Sequence, residues 1–254
     1  MKKLPVLILI SLPLVSCNMT EAPRVRADAV VMTQYAFRGV AMNERPILQG
    51  SMTTEFHVNE LDRLDVTAWG NMSLTASAGD AVFQNTDILD VDENRWIVDY
   101  YHPLEAEDFK NFHAGVIQYS RQGFGTRELF AGTKVDWKQF TLEALAYWDI
   151  DEVDGVYGSG SILGTFNVDE RTNGFWKATL GAASSNMANH LYGDNSAGLT
   201  DLLLEAGANR PLNKNTNMHA VAAFSTVLAN DEALDAANID STRVWLGMGV
   251  NWAF

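Results

Sequence analysis

The end of the chain constrains its fold more than any other segment. Val244, Leu246, Met248, Val250, Trp252 and Phe254 are apolar at a strict period of two. Trp245, Gly247, Gly249, Asn251 and Ala253 lie between them and are mostly small or polar. Residues spaced by two share one face of a strand, so one face of this segment is apolar up to its last residue. A helix cannot present that pattern. A closing strand in a soluble sandwich has little need of so long an aligned apolar row.

The same alternation recurs in segments of about 9 to 12 residues separated by turn-formers, the signature of a membrane barrel. The segments read 29–38, 47–58, 63–74, 95–102, 111–120, 127–137, 139–149, 156–167, 175–184, 199–209, 216–228 and 242–254. Within 139–149, Phe140, Leu142, Ala144, Ala146 and Trp148 alternate with Thr141, Glu143, Tyr147 and Asp149. The pattern predicts an all-β fold: a transmembrane antiparallel up-and-down barrel of about twelve strands, with ten to fourteen compatible. A charged residue facing lipid costs roughly 2–4 kcal/mol at the midplane for Arg or Lys, so the charged faces should line the lumen.

Composition then makes sense. With 47% hydrophobic and 20% charged residues and a mean hydropathy of -0.09, the average resembles a soluble protein. Two opposite faces added together produce that average. No apolar run after Val15 approaches the roughly 18 residues of a membrane helix. Eighteen basic against 32 acidic residues exclude a nucleic-acid surface, and a single cysteine excludes a disulfide scaffold.

The N-terminus reads as an address. Two lysines precede an apolar stretch from Leu4 to Val15, and Leu14-Val15-Ser16-Cys17 resembles a bacterial lipobox. The expected organisation is a signal peptide over 1–16, a lipid-anchored polar tether over 17–28 that begins at Cys17, and a barrel over 29–254. An ordinary cut near Ala27-Asp28-Ala29 is the alternative. Loss of Lys2 and Lys3 with the leader takes the formal net charge from -14 to -16.

Connections alternate between short (58–63, 137–139, 209–216) and longer (75–94, 185–198, 229–241), as in bacterial barrels with short periplasmic turns. Both termini are then expected in the periplasm. Asp80, Asp87, Asp90, Asp92 and Glu93 are expected in an outer loop, on the same side as 149–155.

Three blocks carry a family resemblance. Tyr35-Ala36-Phe37-Arg38-Gly39-Val40 leads to Pro46-x-x-Gln49-Gly50; Thr126-Arg127-Glu128-Leu129-Phe130-Ala131-Gly132 follows. Tyr147-Trp148-Asp149-Ile150-Asp151-Glu152 then precedes Asp154-Gly155-Val156-Tyr157. In order and spacing these resemble the TorF-type porin family. That resemblance implies an outer-membrane barrel acting as a porin, with no catalytic residues to transfer. Two features depart from it: the lipobox, and residues 185–240, which match nothing quotable in the family.

The candidate functional residues are the lumen charges Arg38, Glu55, Asp65, Asp99, Glu128, Lys134, Asp136, Glu143, Lys177 and Glu205, with His57 and Arg243. Their acidic excess favours cations, because a narrow bore focuses the field of its lining. Arg38 and Glu128 stand out because both lie in the resemblance blocks. Val250, Trp252 and Phe254 form the expected assembly signal, read by the barrel assembly machinery. Other expected partners are outer-membrane lipids, lipopolysaccharide and small hydrophilic solutes. No cofactor, metal or nucleic acid is expected. Asp90-x-Asp92-x-Asn94 has Arg95 where a calcium loop needs Gly, and Asp149-x-Asp151 has Val153 at the third ligand, so both read as solvated loops. His57, His113 and His219 lie on separate segments with no nucleophile motif beside them, which argues against an enzyme. The Trp and Tyr residues read as interfacial girdles and strand packing. The expected function is passive diffusion of small hydrophilic solutes or ions with mild cation preference. The alternatives are a closed barrel acting in adhesion or envelope structure and, behind it, a lipid hydrolase.

Overall fold

The computed structural model describes residues 21–75, 91–104, 109–121, 124–237 and 239–254. The leader, Cys17, the first part of the tether and the loop acids Asp80, Asp87 and Asp90 lie outside the described residues. Strand β1 (Arg24–Met32) is followed by two short strands, β2 (Tyr35–Phe37) and β3 (Val40–Asn43). Then come β4 (Ile47–His57), β5 (Arg63–Ser73), β6 (Val91–Pro103), β7 (Phe109–Arg121), β8 (Phe124–Trp137) and β9 (Phe140–Asp149). The remaining elements are β10 (Val156–Asn167), β11 (Asn173–Ala183), α1 (Ser185–Tyr192), β12 (Gly198–Pro211), β13 (Thr216–Val227), α2 (Asp231–Ala236) and β14 (Thr242–Ala253).

Twelve strands, β1 and β4 to β14, close one antiparallel barrel. The seam is β1, which pairs with β14 on one side and β4 on the other. Closure leaves no strand edge, as lipid demands, because an unpaired backbone polar group in hydrocarbon costs several kcal/mol. Alternation decides which face meets lipid. Val31, Met52, Trp96, Leu129, Trp148, Trp176, Leu204, Val244, Leu246 and Met248 are exposed on the outer wall. Asp65, Asp99, Glu128 and Asp201, at inward positions, are buried.

The connections alternate between two ends. Turns 58–62, 138–139, 168–172 and 212–215 lie at the end that carries the first and last strand residues, here the termini end. Segments 33–46, 150–155, 184–197 and 228–241 lie at the opposite, loop end. Strand β1 begins at Arg24, so residues 24–28 of the expected tether belong to the sheet.

The larger difference is at 29–38. The alternation predicts one strand there, but β1 stops at Met32 and Tyr35–Phe37 pairs with Val40–Asn43 as a separate hairpin. The hairpin lies inside the barrel. Tyr35 packs on Trp69 of β5, Phe37 on Tyr119 of β7, and Arg38 bonds to Glu128 of β8. Gly39 sits against Asp201 of β12 and Val227 of β13. A segment that touches strands around the whole circumference can only occupy the lumen. Its residues alternate like strand residues because both of its faces meet barrel wall.

Candidate functional site

The hairpin tip is built by its turn. Phe37 pairs with Val40, leaving Arg38 and Gly39 as a two-residue loop with φ of 50° and 80°. Positive φ at both positions is the primed hairpin turn that matches strand twist. Glycine suits the second position on two counts: its φ, and the space, since a Cβ there would sit 3.0 Å from Val227 Cγ2 and 3.1 Å from Asp201 Cβ. Arginine at positive φ is strained by about 1–2 kcal/mol, and the site compensates. Its guanidinium Nη1 and Nη2 donate to the two Glu128 oxygens at 2.7 and 2.8 Å. Both side chains are almost wholly buried. Glu128 also accepts from the Tyr119 hydroxyl at 2.7 Å, and the Tyr192 hydroxyl donates to the Arg38 carbonyl at 2.7 Å. The rings of Phe37, Tyr147 and Tyr157 lie 4.3 to 5.0 Å from the guanidinium carbon. The two residues singled out in the sequence thus form one bidentate latch between plug and wall.

A second set of bonds holds the base of the hairpin. Arg95 donates to the Tyr35 hydroxyl and, at 2.6 Å, to Glu93, which also pairs with Arg121 at 3.1 Å. Asn43 Nδ2 donates to Ser73 Oγ at 2.7 Å and to Asp92 at 3.1 Å. Asp92 and Glu93 are therefore not outer-loop acids. Both are fully buried, because the register between β5 and β6 slips between Asn71 and Met72. A bulge of this kind turns consecutive side chains to the same face. Asp149 likewise is not solvated: it is buried, accepting from Thr126 Oγ1 at 2.6 Å and from the Asp151 and Val153 amides.

The two helices complete the plug at the loop end. Met187, Ala188 and Tyr192 of α1 and Leu234 of α2 bury against Val40, Tyr157, Ala183 and Val227. Asn230 caps α2 by accepting from the Glu232 amide at 3.0 Å. Its own amide donates to Asp194, as does that of Ser196. These bonds hold the Asp194 carboxyl below its usual range, so the tie is present at neutral pH and is lost as pH falls through the lowered pKa. His190 of α1 stacks on Phe124, and burial followed by the nearby Arg121 charge pushes its pKa down.

The termini half of the lumen carries the other predicted charges. Arg26 pairs with Glu55 and reaches Asp65 at 3.6 Å; Arg63 also pairs with Asp65, at 2.9 Å. Lys134 and Lys177 bracket Glu143 at 3.0 and 3.6 Å, and Glu205 lies opposite Lys177 in the β11–β12 register. Asp136 accepts from Thr141, and His57 lies 4.0 Å from Glu21. Arg243, by contrast, sits at the loop end, 2.8 Å from Glu44. The face here carries Asp28, Glu55, Asp65, Asp99, Asp136, Glu143 and Glu205 against Arg26, Arg63, Lys134 and Lys177. His219 lies 3.9 Å from Asp28. His113 pairs with Asp99 at 3.2 Å and stacks on Tyr101, while its buried Nε2 has no hydroxyl partner among the described residues.

The tyrosines are not a girdle. Tyr35, Tyr101, Tyr119, Tyr147, Tyr157 and Tyr192 all make contacts inside the barrel, and only Tyr100 faces out with exposed Trp96. A phenol hydroxyl needs a partner, and the lumen offers carboxylates and guanidinium groups. Period two does place Tyr119, Tyr147 and Tyr157 on the polar faces, so the signal was present in the strands themselves. Asp201 and Ser225, buried beside these rings, carry no comparable signal.

No protein-family model matches the chain, and no curated protein matches its sequence. Its shape does have relatives. An outer-membrane channel of the COG4313 group from Pseudomonas putida F1 superposes with a TM-score of 0.52 at 13% identity, covering 91% of this chain and 94% of that one. The KdgM porin gives 0.50 at 11% identity over 90% and 99%, and the NanC porin 0.50 at 7% over 91% and 99%. At these identities the likeness is one of fold: this chain has the closed twelve-strand architecture found in outer-membrane channels.

Proposed function

We propose that the chain is an outer-membrane channel of Gram-negative bacteria that passes small hydrophilic solutes or ions passively, with a mild preference for cations. The observation that carries this reading is the inner face. It is polar through the termini half, where its carboxylates outnumber its cations, whereas the outer face is apolar. Twelve strands lie between the eight that fill with side chains and the 16 to 18 that leave a wide bore, so a lumen narrowed by a hairpin fits the size. The fold and the resemblance to TorF-type porins support the same reading. Lipid, lipopolysaccharide and the assembly machinery, acting through Val250, Trp252 and Phe254, are its proposed envelope partners, with both termini in the periplasm.

Bilayer recordings of refolded protein test it. Discrete conductance steps are expected, with a reversal potential on the cation side in a salt gradient. Glu143→Gln leaves Lys134 and Lys177 without the carboxylate between them and should move that potential towards anions. No steps under any condition removes the channel, and an unmoved potential removes the selectivity argument.

The buried cluster of Val40, Met187, Tyr192, Val227 and Leu234 supports a second reading, a closed barrel whose loops act in adhesion or envelope structure. Absence of conductance with normal surface assembly is the result that favours it.

Lipid anchoring through Cys17 has its own test. Cys17→Ser should remove the acyl mass from the mature protein; a mature mass identical but for the substituted atom overturns the anchor.

A further inference from the structure

The geometry points to a binding site for a neutral polyhydroxylated solute, a single sugar ring in size, in the cavity that the hairpin roofs; this rests on the channel reading above. The cavity measures about 290 Å³, just below the ~300–1,000 Å³ typical of drug-sized small-molecule sites. Phe37 and Arg38 of the hairpin form one side. Tyr147, Tyr157 and Trp245 supply ring surface from three separate strands, and Thr179 and Ser225 supply hydroxyls.

Charge decides the class of solute. The guanidinium groups that reach the cavity, Arg38 and Arg95, are already paired with Glu128 and Glu93. The Asp201 carboxylate accepts hydrogen bonds from the Tyr157 and Thr200 hydroxyls, and the Tyr192 hydroxyl oxygen lies 3.1 Å from it. A solute anion entering here would give up its hydration without finding an unpaired cation, and a solute cation would meet Asp201 only by displacing the hydroxyls that already hold its oxygens, a loss that close pairing alone offsets. The hydroxyls are different. Ser225 is 2% exposed, and Ser225 Oγ and Thr179 Oγ1 are buried with no hydrogen-bond partner among the described residues. An unsatisfied buried hydroxyl costs about 1–3 kcal/mol. A ligand that both donates and accepts at several points around an apolar ring face answers those groups and the aromatic surface together. A sugar ring has that chemistry.

The test uses the full chain in detergent micelles and in planar bilayers, with glucose as the neutral probe and glucuronate and choline as charged ones. Glucose should change tryptophan emission saturably and reduce ion current over the same concentration range. Trp245→Phe should abolish the emission change, and Ser225→Ala should weaken binding by roughly three- to tenfold, as loss of one neutral hydrogen bond does. No saturable response to glucose, a stronger response to glucuronate or choline, or full-strength binding by Ser225→Ala overturns the site. Steps in the bilayer without a glucose response leave the channel standing and remove the site. Glucose binding in micelles without any conductance does the reverse.

Discussion

Excising the internal hairpin should raise single-channel conductance several-fold while leaving the barrel assembled. The register makes the excision clean. Met32 and Ile47 face each other across β1 and β4, so residues 33–46 can be replaced by an Asn-Gly turn that joins two strands already in step. The barrel keeps its strand pairings, because β2 and β3 pair only with each other, and gives up two rim backbone bonds, from the Thr33 amide to Leu246 and from the Leu74 amide to Pro46. It does lose Tyr35, Arg38, Val40 and Met42 from the lumen, and with them the roof of the cavity. Heat-modified mobility on gels reports whether the barrel has formed, and bilayer recording reports the bore. An assembled barrel with unchanged conductance would mean that the hairpin is not the constriction and that α1 and α2 close the mouth without it. Loss of the barrel altogether would assign the hairpin a folding role.

The barrel was readable because lipid imposes a simple rule on one face of every strand. From 47 onward the strands fall close to the segments that alternation marks, since each must present apolar residues outward at every second position. Inward positions obey no such rule. They meet water, charge or another segment of the same chain, and each of these tolerates a different residue. Tyr35-Ala36-Phe37 therefore reads as the continuation of β1, although it belongs to the plug. The one local clue is Arg38-Gly39, a two-residue turn written with Arg where Asn or Asp is usual. Asp92 and Glu93 show the other limit. Consecutive acids cannot both point inward in a regular strand, so they read as loop; a bulge makes it happen, and no single-residue pattern announces a bulge.

The pairing of Arg38 with Glu128 was beyond the reach of periodicity, since 90 residues separate them. Family blocks brought them to attention; the three-dimensional contact explains why they belong together. Both sit where a lone charge is costly, and this sets the second large effect. Arg38→Ala should unseat the hairpin, because Glu128, 2% exposed, would keep only the Tyr119 hydroxyl as a partner among the described residues. Removing one member of a buried pair costs about 3–5 kcal/mol, most of it from the charge left behind. The double variant Arg38→Ala/Glu128→Gln should recover a large part of that loss, since a neutral amide tolerates the same pocket far better than a carboxylate. Protease cleavage within 33–46 reads the seating directly: fast in Arg38→Ala, slower in the double variant, and slowest in the parent protein. Equal cleavage in all three would show that the latch does not hold the plug, and that the Arg95, Glu93 and Asn43 bonds at its base suffice.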